Sequence, residues 1–108
     1  MTSAIIVLVT VSSEREAETI ATALLHERLA ACVNVTRPVR SLYRWEGRIA
    51  DDQEWQLVIK TRAHLFEALA TRVRALHSYD VLEIIAVPVL AGSGEYIDWI
   101  QRETGRER

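Results

Sequence analysis

The stretch from Ala30 to Thr61 constrains the fold more than any other part of the sequence. It contains two runs of β-branched, aromatic and aliphatic side chains on either side of Glu46-Gly47-Arg48, a pattern typical of a β-hairpin. Each predicted arm is longer than the ~5–6 residues of an average strand. A chain of 108 residues does not need so long a ribbon for its own core. We therefore expect something outside the monomer to cover it.

The segments before the hairpin predict a buried strand followed by a helix. Ala4 to Val11 is almost continuously apolar, as is typical of a central strand. Ser13 stands three residues before Glu16, which is the capping-box pattern of a helix start. Apolar residues at helical spacing extend this predicted helix to about Ala30.

The segments after the hairpin predict a second helix from Arg62 to His77, a strand from Glu83 to Leu90 and a short third helix. Pro88 near the end of that strand is typical of a sheet edge, and Ser93 is the candidate N-cap of the third helix. The order β-α-β-β-α-β-α predicts an α+β, ferredoxin-like βαββαβ domain with a C-terminal helix, spanning residues 1–108.

Composition and motifs exclude several classes of protein. Hydrophobic residues make up 49% of the chain and charged residues 26%, and the formal net charge of −2 gives no support for a nucleic-acid surface. The one cysteine, Cys32, rules out an internal disulfide, and the apolar run near the N-terminus is shorter than the ~20 residues of a membrane span. No nucleophile elbow, phosphate-binding glycine loop, HExxH or CxxC occurs. We expect a cytoplasmic protein that is not an enzyme and binds neither nucleic acid nor membrane.

Six segments stand in a characteristic order between Ile5 and about Arg102: AIIVLVTV-SS-EREAE, ERLAACVNV, SLYRWEGRI, IKTR, HSYDVLEIIAVPV and GEYIDWI. Together they resemble the CutA family of divalent-cation tolerance proteins. The resemblance implies a tight homotrimer in which the long hairpin strands pair with neighbouring subunits, an architecture shared with nitrogen-regulatory signal transducer proteins. It also implies a role in tolerance of copper and other divalent cations, without enzymatic activity.

The chain departs from the family pattern at the entry to the last strand. Ser78 and Leu82 replace both prolines of the usual His-Pro-Tyr-Glu-x-Pro-Glu, so we expect a more mobile loop. Val9 stands where some members carry a cysteine proposed as a copper ligand. A metal site in this chain would therefore have to form without that thiol.

The candidate metal ligands are His77, Cys32 and Glu83. Imidazole and carboxylate groups suit divalent cations, and a thiolate suits soft Cu(I). Each residue also has a structural interpretation. Cys32 can be a small buried hydrophobic residue, His77 can cap the end of a helix, and Glu83 can form an ion pair.

Two further sets of residues follow from the same reasoning. The candidate lining of a ligand cleft comprises Lys60, Tyr79, Asp80 and Trp45. Lys60 could pair with Glu83 or offer its charge to an anionic ligand. The candidate trimer contacts are the hairpin aromatics Tyr43, Trp45 and Trp55.

These observations lead to two functional hypotheses from different classes. The first is a homotrimer that binds copper or another divalent cation weakly at its subunit clefts, with no cofactor required. The second is a small-ligand sensing or scaffold trimer, similar to the nitrogen-regulatory transducers. An enzyme such as a weak hydrolase ranks last.

Overall fold

A computed structural model describes residues 2–105, and this part of the chain folds into five strands and three α-helices. A 3-10 turn, Ala63–Leu65, precedes the second helix. The result is a mixed α/β fold with an antiparallel sheet, as the sequence predicts. The elements in chain order are β1 (Ala4–Val11), α1 (Glu14–His26), β2 (Cys32–Val35), β3 (Val39–Trp45), β4 (Arg48–Arg62), α2 (Phe66–Leu76), β5 (Ile84–Pro88) and α3 (Gly94–Glu103).

The sheet is built around β1, which pairs antiparallel with both β4 and β5 in the order β2-β4-β1-β5. The predicted central position of the first strand and the edge position of the last are thereby confirmed. Alternate side chains of β1 and β4 are buried, because strand residues two apart point to the same face. They pack with apolar residues of α1 and α2 in one core that includes Val7, Val9, Val11, Ile20, Leu24, Leu57, Ile59, Leu69 and Val73.

The first arm of the hairpin differs from its prediction, because it forms two strands rather than one. Residues 36–38 interrupt it between β2 and β3. Thr36 there donates its backbone N–H to Gln56 O at 3.0 Å and accepts from Gln56 N–H through its hydroxyl at 3.0 Å. Pro38 has no N–H to contribute to a ladder. The backbone therefore leaves the sheet here and rejoins β4 at Val39, opposite Glu54.

The hairpin turn lies where the sequence predicts it. Glu46 and Gly47 have φ of 50° and 77°. Positive φ at both central residues of a two-residue loop matches the twist of the strands that it joins. The part of β4 that precedes Trp55 does not pair with β1 and pairs with β3 alone. Strand β3 and residues 48–54 therefore form a two-stranded ribbon. This ribbon gives the described chain a long axis of 47 Å, against 26 Å and 23 Å for the other two.

The predicted helix boundaries need two corrections. The first helix ends at His26 rather than near Ala30, because Arg28 adopts φ of 59°. The second begins at Phe66 rather than Arg62, since β4 continues as far as Arg62. Both helix N-caps are confirmed: the Ser13 hydroxyl accepts from Glu16 N–H at 3.1 Å, and the Ser93 hydroxyl accepts from Tyr96 N–H at 3.3 Å.

The face of the sheet opposite α1 and α2 is only partly covered, and we call it the open face. At one end Arg62 donates to the hydroxyl and the carbonyl of Thr104, which ties the end of α3 to this face. Farther along, five apolar side chains meet in register and remain partly or largely exposed: Ile6, Leu8, Val58, Ile85 and Val87. Within residues 2–105, no helix has both the length and the apolar character needed to cross a membrane.

Candidate functional site

A groove of about 730 Å³ lies where the ribbon meets the segment between α2 and β5. This volume is in the range of sites for small organic ligands. Strands β1, β3 and β4 contribute to its lining, and residues 79–83 form the remaining wall. The lining side chains are Thr10, Arg40, Ser41, Leu42, Tyr43, Trp45, Asp52, Glu54, Tyr79, Asp80, Val81 and Glu83.

Strand register explains how the ribbon contributes to this groove. Ser41 lies opposite Asp52 and Val39 lies opposite Glu54, so the two acids share a face with Ser41, Tyr43 and Trp45. The sequence predicts that shared face for the β3 residues, and the register confirms it. Period-two alternation thus places acidic and aromatic side chains side by side along one face of the ribbon.

Two tyrosine hydroxyls bind Asp52 and Glu54, the two acids on this face of the ribbon. Tyr79 donates to Glu54 Oε2 at 2.8 Å, and Tyr43 donates to Asp52 Oδ2. Burial, followed by the hydrogen bond to Glu54, raises the pKa of Tyr79. The hydrogen bond to Asp52, with burial, raises the pKa of Tyr43 to about 12. Both phenols therefore remain protonated donors at neutral pH, and they hold the carboxylates in fixed positions.

The groove has an excess of negative charge. Its lining contains four acids, Asp52, Glu54, Asp80 and Glu83, against one arginine. That arginine, Arg40, forms a two-point ion pair with Asp51 at 2.9 Å and 2.7 Å. The same contact lowers the pKa of Asp51. Asp51 does not line the groove. The positive charge of Arg40 is therefore compensated by Asp51 and not by the four acids of the lining.

His77 lies just behind the groove, with a side chain that is 0% exposed. Its Nε2 lies 2.7 Å from Thr10 O, and its Nδ1 accepts the Tyr79 backbone N–H at 3.0 Å. The neutral tautomer with hydrogen on Nε2 satisfies both contacts. A metal ion at Nδ1 would have to displace the Tyr79 N–H. In this chain His77 anchors Tyr79. His77 is also the C-cap of α2, but through its backbone N–H, which donates to Val73 O; its ring binds Thr10 O instead of the helix carbonyls that the sequence offered as an alternative.

Cys32 and Lys60 lie away from the groove. They face each other across β2 and β4, with Lys60 Nζ against Asn34 Oδ1. Lys60 is six residues from Glu54 along β4, or roughly 20 Å at the rise of a strand. Burial and the Cys32 side chain raise the pKa of Tyr96, which places Cys32 beside α3. The expectation that the hairpin brings these two residues to the cleft is therefore not met within one chain.

The structure does not assemble the predicted metal ligands into one site. Glu83 lines the groove, His77 is buried behind it, and Cys32 is at the far end of the sheet. Among residues 2–105, no group of three or more histidine, cysteine, aspartate or glutamate side chains is arranged to hold a metal ion. Any cation at the groove of a single chain would contact few protein ligands.

The remaining predicted residues are divided between the two sides of the sheet. Trp45, Tyr79 and Asp80, candidates for a ligand cleft, line the groove, and so does Tyr43, a candidate trimer contact. Trp55 instead packs against the core, where its indole Nε1 is buried without a hydrogen-bond partner in the described chain.

Sequence reasoning missed the two acids on the groove face of the ribbon, Asp52 and Glu54. A signal for them was present in the sequence. Counting back from the Glu46-Gly47 turn places Asp52 opposite Ser41 and Glu54 opposite Val39. The charge in the groove thus follows from turn position and strand register.

The fold and the groove define a class of small mixed α/β protein, in which a projecting β-ribbon meets a pocket of acids and aromatic rings. Residues 5–103 match the family model described as CutA1 divalent ion tolerance protein. The chain belongs to this family of divalent-cation tolerance proteins.

Individual relatives agree with the family match. The divalent-cation tolerance protein CutA of Thermus thermophilus is 52% identical over 100 residues, which cover 93% of this chain and 97% of the relative. The chloroplastic protein CutA of Arabidopsis thaliana is 43% identical over 93% of this chain but only 55% of its own length. These two relatives show that the family sequence pattern runs through almost all of this chain.

Solved structures show the same fold. The cation tolerance protein Cut A1 from Thermus thermophilus superposes with a TM-score of 0.92 at 51% identity, covering 94% of this chain and 99% of its own. CutA1 from Oryza sativa superposes with a TM-score of 0.94 at 40% identity, covering 98% and 97%. The ribbon and the groove thus belong to a fold that these proteins share over nearly their full length.

Proposed function

We propose that this protein acts in divalent-cation tolerance as a homotrimer that binds copper or another divalent cation weakly at its subunit clefts. The observation that carries the proposal is the projecting ribbon, β3 with residues 48–54, whose outer edges are unpaired in the described chain. A two-stranded ribbon is marginally stable in water on its own. Pairing with another copy would satisfy its backbone groups.

The side chains of the ribbon support the same conclusion. Leu42 is 61% exposed and Ile49 is 66% exposed on one face, and Trp45 is 48% exposed on the other. Large apolar side chains on both faces of a projecting ribbon favour burial against a partner. On the open face, Ile85 and Val87 of the edge strand β5 are half-exposed. They offer an apolar surface on which the apolar side chains of another copy's ribbon can pack.

We propose that the subunits form a closed ring. A ribbon that docks on a different surface of the next copy makes a head-to-tail contact, which closes into a ring when the rotation allows it. The family resemblance implies a ring of three. Within that ring a neighbouring copy could bring Lys60 or Cys32 towards the groove, which one chain does not do.

Weak metal binding is supported by the chemistry of the groove wall. Asp80 and Glu83 are exposed carboxylates, and oxygen ligands suit hard divalent cations. Two carboxylates without a third protein ligand hold a cation loosely, so we propose binding that a neighbouring subunit or water completes. We also propose a cytoplasmic location and a binding role rather than an enzymatic one.

A second candidate function is small-ligand sensing by the same assembly. It is favoured by the volume of the groove and by its mixed aromatic and acidic lining, which exceeds what a single metal ion needs. The two functions share one site and differ in the ligand that occupies it.

Calorimetric titration of Cu(II) and Zn(II) into the metal-free protein tests the first function. We expect weak binding that the double variant Asp80→Asn, Glu83→Gln abolishes, while Cys32→Ser leaves it unchanged. Binding that is unaffected by the double variant would count against a metal site in the groove. Loss of binding in Cys32→Ser alone would move the site to the far end of the sheet.

A further inference from the structure

Glu54 is a buried acid without a cationic partner. It is 6% exposed, although it lines the groove. Tyr79 donates to Oε2 at 2.8 Å, and no donor among residues 2–105 reaches Oε1. The arginine–carboxylate ion pairs of the described chain form elsewhere, at Asp51 and Glu27. Oε1 of Glu54 is not a buried orphan atom and keeps contact with solvent in the groove, where a positively charged occupant can bind it.

The rest of the lining indicates what kind of cation that occupant is. Tyr43, Trp45 and Tyr79 place three aromatic rings around the groove, and Leu42 and Val81 add apolar surface. Aromatic faces attract ammonium and guanidinium groups, whereas a hard metal ion gains nothing from apolar walls. The Tyr79 hydroxyl already occupies one oxygen of Glu54, which leaves a single oxygen for the occupant. One oxygen is enough for an organic cation that donates a hydrogen bond, whereas a metal ion requires several.

We propose that the groove binds a small organic cation, an ammonium group on a short apolar stem. The ammonium donates to Glu54 Oε1 and lies against the ring of Trp45 or Tyr43. The stem packs on Val81. This inference rests on the second function proposed above, ligand binding in the groove.

Butylammonium chloride is a suitable probe, and 1-butanol is its neutral match of similar size. In a titration followed by ¹H–¹⁵N correlation spectra, we expect butylammonium to shift the Trp45 indole and Tyr79 amide signals in a saturable way. We expect 1-butanol to leave them unchanged. Equal responses to the two compounds would overturn the proposal, because the ammonium charge would then contribute nothing.

Three variants locate the charge. Glu54→Gln keeps an acceptor for Tyr79 and removes the negative charge, and it is expected to weaken butylammonium binding about tenfold or more, since hydrogen bonds to charged groups are roughly twice as strong as neutral ones. Trp45→Leu lies on the exposed ribbon and tests the ring independently of Glu54, with an expected loss of about fivefold. Glu67→Gln on the exposed side of α2 is the matched control and should bind as the wild type does.

Two other occupants of the groove, a cationic side chain of a second copy and a metal ion, would give different results. Either result would overturn the proposal. If a cationic side chain of a second copy fills the groove, butylammonium will not bind and Glu54→Gln will change the sedimentation coefficient. If a metal fills it, Zn(II) will shift the same signals and butylammonium will not. A trimer that binds Zn(II) alone would leave the first proposed function standing, and a monomer that binds butylammonium would leave this inference standing without the trimer.

Discussion

Replacing His77 with alanine separates its two possible roles, as an anchor of the groove wall and as a metal ligand. The ring is 0% exposed and contacts Thr10 O at 2.7 Å and Tyr79 N–H at 3.0 Å. Each hydrogen bond contributes about 1 kcal/mol net. Burial of a ring of this size contributes roughly 1.5–3 kcal/mol more. We therefore expect His77→Ala to lower the free energy of unfolding by about 3.5–5 kcal/mol, a large share of the ~5–15 kcal/mol of a typical domain.

The assay is urea denaturation in the presence of a chelator, at one fixed protein concentration because assembly contributes to apparent stability. His64→Ala is the matched control. His64 is exposed on the turn before α2, and its replacement should change stability by less than about 0.5 kcal/mol. A side chain whose only role is to bind a metal contributes little to the free energy of unfolding of the metal-free protein. A loss below about 0.5 kcal/mol for His77→Ala in metal-free protein would therefore refute the anchor role.

Three further predictions follow from the structure. Gly105→Ala should lower the free energy of unfolding by about 1–3 kcal/mol, because Gly105 has φ of 82° and an added Cβ would lie 2.7 Å from a guanidinium nitrogen of Arg62. Thermal denaturation measures this loss. Gly94→Ala is the control, since a Cβ there would meet open space. Ultraviolet titration should show one phenol ionising near pH 12 that Tyr43→Phe removes. Its pKa is raised from the usual 10.0, so its stabilising effect is complete below pH 10 and is lost as the pH rises towards 12. Leu42→Asp should shift the protein towards monomer in sedimentation velocity while its far-ultraviolet circular dichroism is retained.

The elements that could be predicted from the sequence are those with short-range signals. Ser13 and Ser93 act as N-caps because a hydroxyl needs only the N–H three residues later. The turn at Glu46-Gly47 has positive φ at both residues, and Gly47 is the local sequence signal for it. The central position of β1 follows from its unbroken apolar run. Each of these signals lies within a few residues of the structure that it specifies.

Features that depend on contacts between distant segments could not be predicted in the same way. The break between β2 and β3 is fixed by two hydrogen bonds between Thr36 and Gln56, one donated by each backbone N–H across twenty residues of sequence. From the sequence, His77 is a candidate metal ligand. Its hydrogen bond from Nε2 to Thr10 O joins residues far apart in the chain, and no neighbouring residue indicates it. Lys60 was placed at the cleft because the register between β2 and β4, which puts it opposite Cys32, was not known.

The residues of the groove depend on both kinds of signal. Tyr43 and Trp45 share one face of β3, as the alternation of side chains along a strand predicts, and both line the groove together with Tyr79. The buried acid Glu54 was missed because no local feature distinguishes it from the exposed acids beside it. Its burial results from Tyr79, which reaches it from a loop 25 residues away in sequence.

The measurement that tests the proposed assembly most directly is the native mass of the purified protein at micromolar concentration, by native mass spectrometry. We expect a complex of three times the 12.3 kDa chain mass, because the ribbon of one copy needs another copy to cover its edges. A mass of 12.3 kDa under the same conditions would contradict the trimer. It would also show that the exposed ribbon is stable in water without a partner.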